Sequence, residues 1–292
     1  MTEELFRSDA YLRECTAVVT AVNENRVQLD KTVFYPEGGG QPGDTGWMIS
    51  AGGSEIQIVD TQHHSSEGLV HVIGVDGSLP AIGQDVRLRI DWDRRYRLMR
   101  MHSCMHMLCS VVPAPVTGGS IRDGQGRLDF DLPETINRAE LSERLNEVIR
   151  LNRSMTLQWI TDESLAAQPE LVRTMSVKPP AGTGTIRLVK FSGIDLQPCG
   201  GTHVAATGEI GRVRIKKIEK KLNIQKENIM EYLTDTRDMN KHVWNLYIDG
   251  KEEIIKDEAN GCSYIRYPGL KGTDTLYADI RKTWSREDDK RN

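Results

Sequence analysis

The pattern of hydrophobic and polar positions changes near residue 91. Before it, apolar and polar residues alternate in short runs such as "TAVVTAV", "SEIQIVD" and "DVRLRID", separated by Asn, Gly and Asp. A period of two is typical of half-buried strands, and closely spaced short strands favour a small antiparallel barrel or sandwich. We therefore predict that residues 1–91 form an N-terminal β domain.

Residues 92–221 follow a different pattern. "DWDRRYRLMRMHSCMHMLCSVVPAP" predicts one long helix, capped by Asp91 or Asp93 and ended by prolines, and "NRAELSERLNEVIRLN" predicts a second. Strands are expected at "GTIRLVKF" and "GRVRIKKI", so the segment is predicted to be an α+β domain. Residues 222–292 are rich in Asn, Asp, Glu and Lys and carry no motif; we predict a C-terminal extension of unknown role.

Composition narrows the function classes. Of the 292 residues, 38% are hydrophobic and 27% charged, and no apolar run approaches the ~18 residues of a membrane span. The N-terminus has no signal-peptide pattern, so we expect a cytoplasmic protein without a membrane partner. A net charge of −4 argues against a general nucleic-acid binder, although local basic clusters remain. These clusters are Arg94, Arg95, Arg97 and Arg100, and Lys216, Lys217, Lys220 and Lys221. They are either solvated faces or contacts for an anionic substrate.

Two half-sites for a metal ion lie far apart in the chain. His102 and His106 are four residues apart on the predicted helix, so both imidazoles share one face, and Cys199 and His203 have the same spacing in a Gly-rich loop. Cys109 lies seven residues beyond His102, about 10.5 Å along the helix, and cannot join the same ion. Zn²⁺ prefers four N or S ligands. We predict one zinc ion bound by His102, His106, Cys199 and His203; the alternative is two unrelated pairs of ordinary residues.

Four motifs together resemble a known family. They are "FYPEGGGQPGDTG", "HSCMH", "TGGSI" followed by "GRLDFDL", and "CGGTH", in that order over residues 15–221. The chain resembles the AlaX proteins, free-standing relatives of the editing domain of alanyl-tRNA synthetase, and in particular their larger type with an N-terminal barrel. The resemblance implies a fold of α+β class, with a small antiparallel β-barrel followed by an editing domain that carries a zinc site.

The resemblance also implies a function. Family members hydrolyse the ester that joins serine, and in some members glycine, to alanine tRNA, so the partner would be mischarged tRNA(Ala) and no ATP is expected. Loop hydroxyls and glycines would contact the substrate, with no catalytic residue assigned: Ser103, Thr117, Gly118, Gly119, Ser120, Gly38, Gly39 and Gly40. Ser103 stands where the family often has Thr, Met105 where synthetase editing domains often have Thr, and Thr117 where those domains commonly have Gln. The family's last strand is not recognisable after "KIEKK".

Three questions stay open at the level of the sequence. Four protein ligands would close a zinc site, so either one ligand is displaced or the ion mainly positions the pocket. A zinc-stabilised tRNA-binding module without catalysis is the alternative function. A fragment of a full synthetase is a weaker one, since only about fifteen residues precede the barrel. The oligomeric state is not indicated.

Overall fold

A computed structural model describes the chain except for residues 1, 75–78, 133–135, 173–184, 222–240, 249–252, 258–261 and 267–292. It contains two compact units, Met1–Ile248 and Asp249–Asn292. Among the described residues, no helix combines the length and the apolar character needed to cross a membrane.

Among the described residues before the first α-helix there are eight strands. They are β1 (Glu3–Glu4), β2 (Glu14–Asn23), β3 (Arg26–Leu29), β4 (Lys31–Thr32), β5 (Gly46–Ser50), β6 (Glu55–His64), β7 (Gly68–Ile73) and β8 (Asp85–Ile90). Six of them close into an antiparallel barrel in the order β2-β3-β7-β6-β5-β8, and β1 pairs with β4 in parallel. The predicted alternation fills the barrel: Ile56 and Ile58 on β6 are buried, whereas Gln57 between them is exposed. The barrel prediction is confirmed.

In the part of the first unit that the structure describes, the remaining elements are three α-helices and seven strands. They are α1 (Trp92–Val111), β9 (Val116–Arg122), β10 (Gln125–Asp131), α2 (Arg138–Arg150), β11 (Met155–Ile160), α3 (Asp162–Ala166), β12 (Ile186–Phe191), β13 (Asp195–Pro198), β14 (Val213–Lys221) and β15 (Lys241–Ile248). Short 3-10 helices lie at Leu5–Arg7, Pro169–Leu171 and Thr207–Ile210. Helices thus accompany antiparallel sheets, which confirms the α+β class.

Helix α1 forms the centre of this unit. Asp91 caps it by accepting a hydrogen bond from the Arg94 N–H, and the helix ends just before Val112 and Pro113, a position where proline disfavours the α conformation. Most of its side chains are buried, as expected for a helix that is apolar on several faces. Its core cluster includes residues from α2, β9, β10, β12 and β14, while Trp92 also contacts the interior of the barrel.

A buried ion pair joins α1 to the barrel. Arg95 and Asp44 are almost wholly buried, and the Arg95 Nε lies 2.8 Å from an Asp44 carboxylate oxygen. The same guanidinium donates to the carbonyls of Ala10 and Val33, at 3.0 and 2.7 Å. Because a buried charge is costly unless its hydrogen bonds are satisfied, this network specifies how α1 lies against the barrel.

Strand β15 lies within the main sheet of the unit. This sheet has the order β14-β15-β10-β9, and β15 is antiparallel to both of its neighbours. The sequence placed residues 241–248 in a C-terminal extension and showed no final strand after "KIEKK". In the structure, the strand that pairs with β14 is β15, which begins about twenty residues after "KIEKK". The domain boundaries proposed from the sequence remain predictions.

Shortening the chain should show what β15 contributes. A form ending at Lys221 lacks β15, so β10 and β14 lose their shared partner and expose unpaired backbone groups. We expect its melting temperature to fall by at least about 10 °C, or its cooperative unfolding to disappear, when followed by circular dichroism. A form ending at Ile248 is the matched control and should melt like the full chain. Equal melting of the two shortened forms would show that β15 adds no stability.

The unit Asp249–Asn292 contains two described strands, β16 (Glu253–Asp257) and β17 (Cys262–Arg266). They pair antiparallel, with Ile255 opposite Tyr264.

Candidate metal centre and substrate cavity

Four potential metal ligands meet at one point although about ninety residues separate them in the chain. His102 and His106 come from successive turns of α1, and Cys199 and His203 from the loop after β13. Their ligand atoms all lie within 4.8 Å of one another. The Cys199 Sγ is 3.4 Å from His102 Nε2 and 3.5 Å from His203 Nε2, and the Nε2 atoms of His203 and His106 are 3.0 Å apart. This group can hold a metal ion.

Hydrogen bonds at Nδ1 orient two of the imidazoles. Thr202 N–H donates to Gln41 Oε1, which identifies that atom as an acceptor, so His102 must donate to it from Nδ1 over 2.8 Å. The Nδ1 of His106 lies 2.8 Å from Asp195 Oδ2. With Nδ1 engaged in this way, Nε2 is directed toward the common centre of the four ligands, an arrangement that is typical of histidine metal ligands.

The electrostatics of the cluster also suit a cation. Burial raises the pKa of the Cys199 thiol, but His102 and His203 counteract it, and the pKa lies well below its usual value. Burial lowers the pKa of His203 to about 3, so this ring is neutral. For His106, burial lowers the pKa while the bond to Asp195 raises it, with a net value of about 9. A cation held by His106 at Nε2 would replace the proton of this ring, because metal ligation requires the neutral imidazole.

Arg187 holds the loop that carries Cys199 and His203. This buried guanidinium, on β12, donates to the carbonyls of Cys199, at 2.9 Å, and Gly201. Ser103 supports the same loop from α1, where its hydroxyl accepts a hydrogen bond from Val204 N–H at 3.1 Å. The roles of Gln41, Asp195 and Arg187 are not visible in the sequence, since nothing in local spacing connects them to the ligands.

Gly201 offers a direct test of this packing. A Cβ at position 201 would overlap the His102 ring and lie 2.9 Å from Gln41 Oε1, whereas a Cβ at Gly200 meets nothing within 4 Å. We expect Gly201→Ala to displace His102 and to weaken metal binding about 10- to 100-fold, the usual cost of disturbing the partner of a ligand. Competition with a chromophoric chelator measures the affinity. Gly200→Ala is the control, and equal affinities in the two variants would contradict the packing described.

A cavity of about 840 Å³ opens beside the ligands. His102, His106 and Cys199 line it, together with Gly38–Gly40 from the barrel and Gly118 and Gly119 from β9. The two glycine segments touch: Ile121 N–H donates to the Gly40 carbonyl at 2.7 Å, and a Cβ on Gly40 would lie 3.0 Å from the Gly119 carbonyl oxygen. Gly40 has a φ of +82°, which only glycine adopts readily. The barrel and the α+β half therefore form one wall of the cavity.

The predicted substrate-contact residues divide into two groups. All five predicted glycines line the cavity, whereas Ser103, Thr117 and Ser120 are not among its lining residues. Ser103 is fully buried behind the ligand loop and Ser120 is exposed. The Thr117 Oγ1 is buried and has no hydrogen-bond partner among the described residues. The roles of these residues in binding substrate remain predictions.

The arginines of α1 do not form an open anion-binding patch. Arg95 is buried against Asp44, Arg94 donates to the Gly43 carbonyl, and Arg97 pairs with Asp123. Arg100 donates to the Ile210 carbonyl at 2.9 Å. Each of the four guanidinium groups has a contact within the protein, and Arg97 is the exposed member of the cluster. Of the lysine cluster, the side chains of Lys220 and Lys221 lie outside the described residues.

Comparison with known proteins gives matches to two family profiles. Residues 8–94 match the profile described as tRNA synthetases class II (A), and residues 186–225 match the threonyl and alanyl tRNA synthetase second additional domain.

Whole proteins match as well. The chain is 35% identical over 225 residues to the alanyl-tRNA editing protein AlaX-M of Saccharolobus solfataricus, covering 76% of this chain and 94% of the relative. It is 36% identical to AlaX-M of Methanosarcina mazei, covering 76% of this chain and 92% of that protein. Alanine–tRNA ligase of Saccharolobus islandicus is 34% identical over 75% of this chain, which corresponds to 25% of the ligase. The four ordered motifs, the barrel joined to an α+β half and the AlaX-M matches, which cover most of both chains, lead to one conclusion: the chain belongs to the AlaX family of alanyl-tRNA editing proteins.

Proposed function

We propose that this protein hydrolyses the ester between serine and tRNA(Ala) without using ATP. Glycine esterified to tRNA(Ala) is the second substrate that we propose. The observation that carries the proposal is that three of the four clustered ligands line a cavity of about 840 Å³. Small-molecule sites commonly have volumes of roughly 300–1,000 Å³, so an aminoacylated ribose is of suitable size. The relatives' name, alanyl-tRNA editing protein, supplies the class of substrate.

We further propose that the ion is Zn²⁺. One thiolate and three imidazoles form a donor set that zinc favours over the hard cations Mg²⁺ and Ca²⁺, which prefer oxygen ligands. When bound, zinc would polarise an ester carbonyl or lower the pKa of a water molecule. His102, His106, Cys199 and His203 would hold it.

The residues of the chain itself would position the substrate and shield it from bulk water. Gly38–Gly40 and Gly118–Gly119 carry no side chains into the cavity, so the ester can approach their backbone closely. Met105 and Leu128 add apolar walls that reduce access of bulk water. The Gln197 side-chain amide donates from Nε2 to Asp195 Oδ2 at 2.8 Å and so holds the carboxylate that orients His106.

Deacylation with and without the ion tests the proposal. Purified protein is incubated with Ser-tRNA(Ala), and release of serine is followed for the zinc-loaded form and for the form stripped by a chelator. We expect hydrolysis by the loaded form, loss after chelation and recovery on adding Zn²⁺. A protein that binds the tRNA with zinc present but releases no serine would instead be the non-catalytic zinc-stabilised tRNA-binding module.

A further inference from the structure

Trp159 is an exposed aromatic residue at the edge of the cavity. Five large hydrophobic side chains are exposed among the described residues: Val59, Leu79, Ile82, Leu151 and Trp159. Trp159 is the aromatic member of this set and is the one that lines the cavity, with 49% of its surface accessible. An indole left half exposed beside a substrate cavity has a large apolar face available for a ligand.

The sheet connects Trp159 directly to the metal ligands. Trp159 on β11 is paired with Arg187 on β12, and the Arg187 carbonyl accepts a hydrogen bond from Cys199 N–H at 3.1 Å. Residues directly opposite one another on antiparallel strands project from the same face. Trp159, Arg187 and Cys199 thus form one row across the sheet. Two strand spacings place the Cα of Trp159 about 10 Å from that of Cys199.

Neighbouring residues on β11 and β13 show what the sheet face that carries Trp159 packs against. Along β11, Leu157 is on the same side as Trp159 and packs against the core around α1. Along β13, Asp195 and Gln197 share the side of Cys199, and both lie against His106. The face that carries Trp159 is therefore the one that holds the candidate metal centre. Trp159 lies at its outer strand, where the cavity meets solvent.

We propose that Trp159 stacks on the terminal base of the tRNA substrate. The ester to be cleaved is on the ribose of the terminal nucleotide, so the base lies one sugar ring away from the reacting carbonyl. If that carbonyl lies near Cys199, a base one sugar ring away along the row across the sheet lies next to Trp159. Proteins bind unpaired nucleotides by stacking them on aromatic side chains. This inference rests on the proposed function, since it assumes that an aminoacyl ester occupies the cavity.

The test compares variants on two substrates. Stacking on one base usually changes affinity by roughly 5- to 100-fold, so Trp159→Ala should lower kcat/KM for Ser-tRNA(Ala) by that factor. Trp159→Phe, which retains an aromatic face, should stay within about threefold of wild type. Trp47→Ala is the matched control, because Trp47 is on the barrel strand β5, stacked on Arg89 and absent from the cavity lining.

The second substrate carries serine on a terminal ribose that lacks its base. If Trp159 acts on the base, this substrate reacts slowly with wild type and Trp159→Ala slows it no further. Equal losses on both substrates would overturn the proposal, since Trp159 would then support the fold or a contact between two copies of the chain. Unchanged kcat/KM in Trp159→Ala would overturn it too.

A binding measurement separates this inference from the proposed function. If wild type releases no serine, the proposed function fails, and stacking is measured on an uncharged oligonucleotide ending in CCA. The indole fluorescence of wild type should then decrease when the oligonucleotide binds. In Trp159→Phe this decrease should be absent. Equal changes in the two proteins would overturn the stacking proposal independently of hydrolysis.

Discussion

Cys199→Ala is expected to abolish metal binding and to reduce deacylation of Ser-tRNA(Ala) by at least about 100-fold. Disturbing the partner of a ligand usually costs 10- to 100-fold, and loss of the ligand itself should cost more. Cys199 lies 3.4–3.5 Å from two of the three histidines. Without its thiolate, the three neutral imidazoles have no negative charge to balance the cation. Elemental analysis should give one metal ion per wild-type chain and none in the variant.

The control for this experiment is Cys15→Ala on β2, a half-buried cysteine of the barrel. It should retain both metal and activity. Thermal unfolding of both variants shows whether Cys199→Ala still forms the folded unit, and Cys199→Ser repeats the test with a side chain closer in size. Wild-type metal content and activity in both Cys199 variants would refute the proposed ligand set.

The second large effect is expected in the selectivity between Ser-tRNA(Ala) and Ala-tRNA(Ala). The protein should hydrolyse Ser-tRNA(Ala) about 10⁴- to 10⁵-fold faster, in kcat/KM, than Ala-tRNA(Ala). A pocket that hydrogen-bonds the serine hydroxyl rejects alanine because alanine leaves the buried partner unpaired. Shape alone discriminates by only about 10- to 200-fold. If wild type removes alanine as readily as serine, the editing function is refuted, because such an enzyme would destroy the correct product.

Thr117 is the first candidate for the residue that recognises the serine hydroxyl. Its Oγ1 is buried without a partner among the described residues, and it directly precedes Gly118 of the cavity wall. Thr117→Val keeps the shape and removes the hydroxyl, so the serine-to-alanine ratio should fall toward the value expected from shape. Thr156, exposed on β11 and absent from the cavity lining, is the matched control, and Thr156→Val should leave the ratio unchanged. A ratio unchanged in Thr117→Val would assign recognition to another residue.

Ser103→Ala should lower the stability of the ligand loop, unlike Thr117→Val and its control variant. The Ser103 hydroxyl accepts a hydrogen bond from Val204 N–H, next to His203, so its loss leaves a buried backbone donor unpaired.

Much of the fold and the ligand set followed from local patterns in the sequence. Alternation with a period of two predicted the barrel strands, because successive side chains in a strand point to opposite faces. The spacing of four residues between His102 and His106 predicted their shared face, because a helix turns once in 3.6 residues. Pairing them with Cys199 and His203 followed from the number of ligands that zinc requires and from the family's ordered motifs.

Only the tertiary structure decided what surrounds the ligands. Gln41 and Asp195 reach His102 and His106 from the barrel and from β13, and no local period connects residues that are 61 or 89 positions apart. The arginines of α1 looked like a basic patch, yet Arg95 is buried against Asp44, because packing rather than charge decides which face of a helix meets solvent. Likewise, β15 belongs to a sheet whose partner strands lie far away in sequence. Long-range hydrogen bonds and burial depend on the folded arrangement of several elements, which the pattern within any one element does not contain.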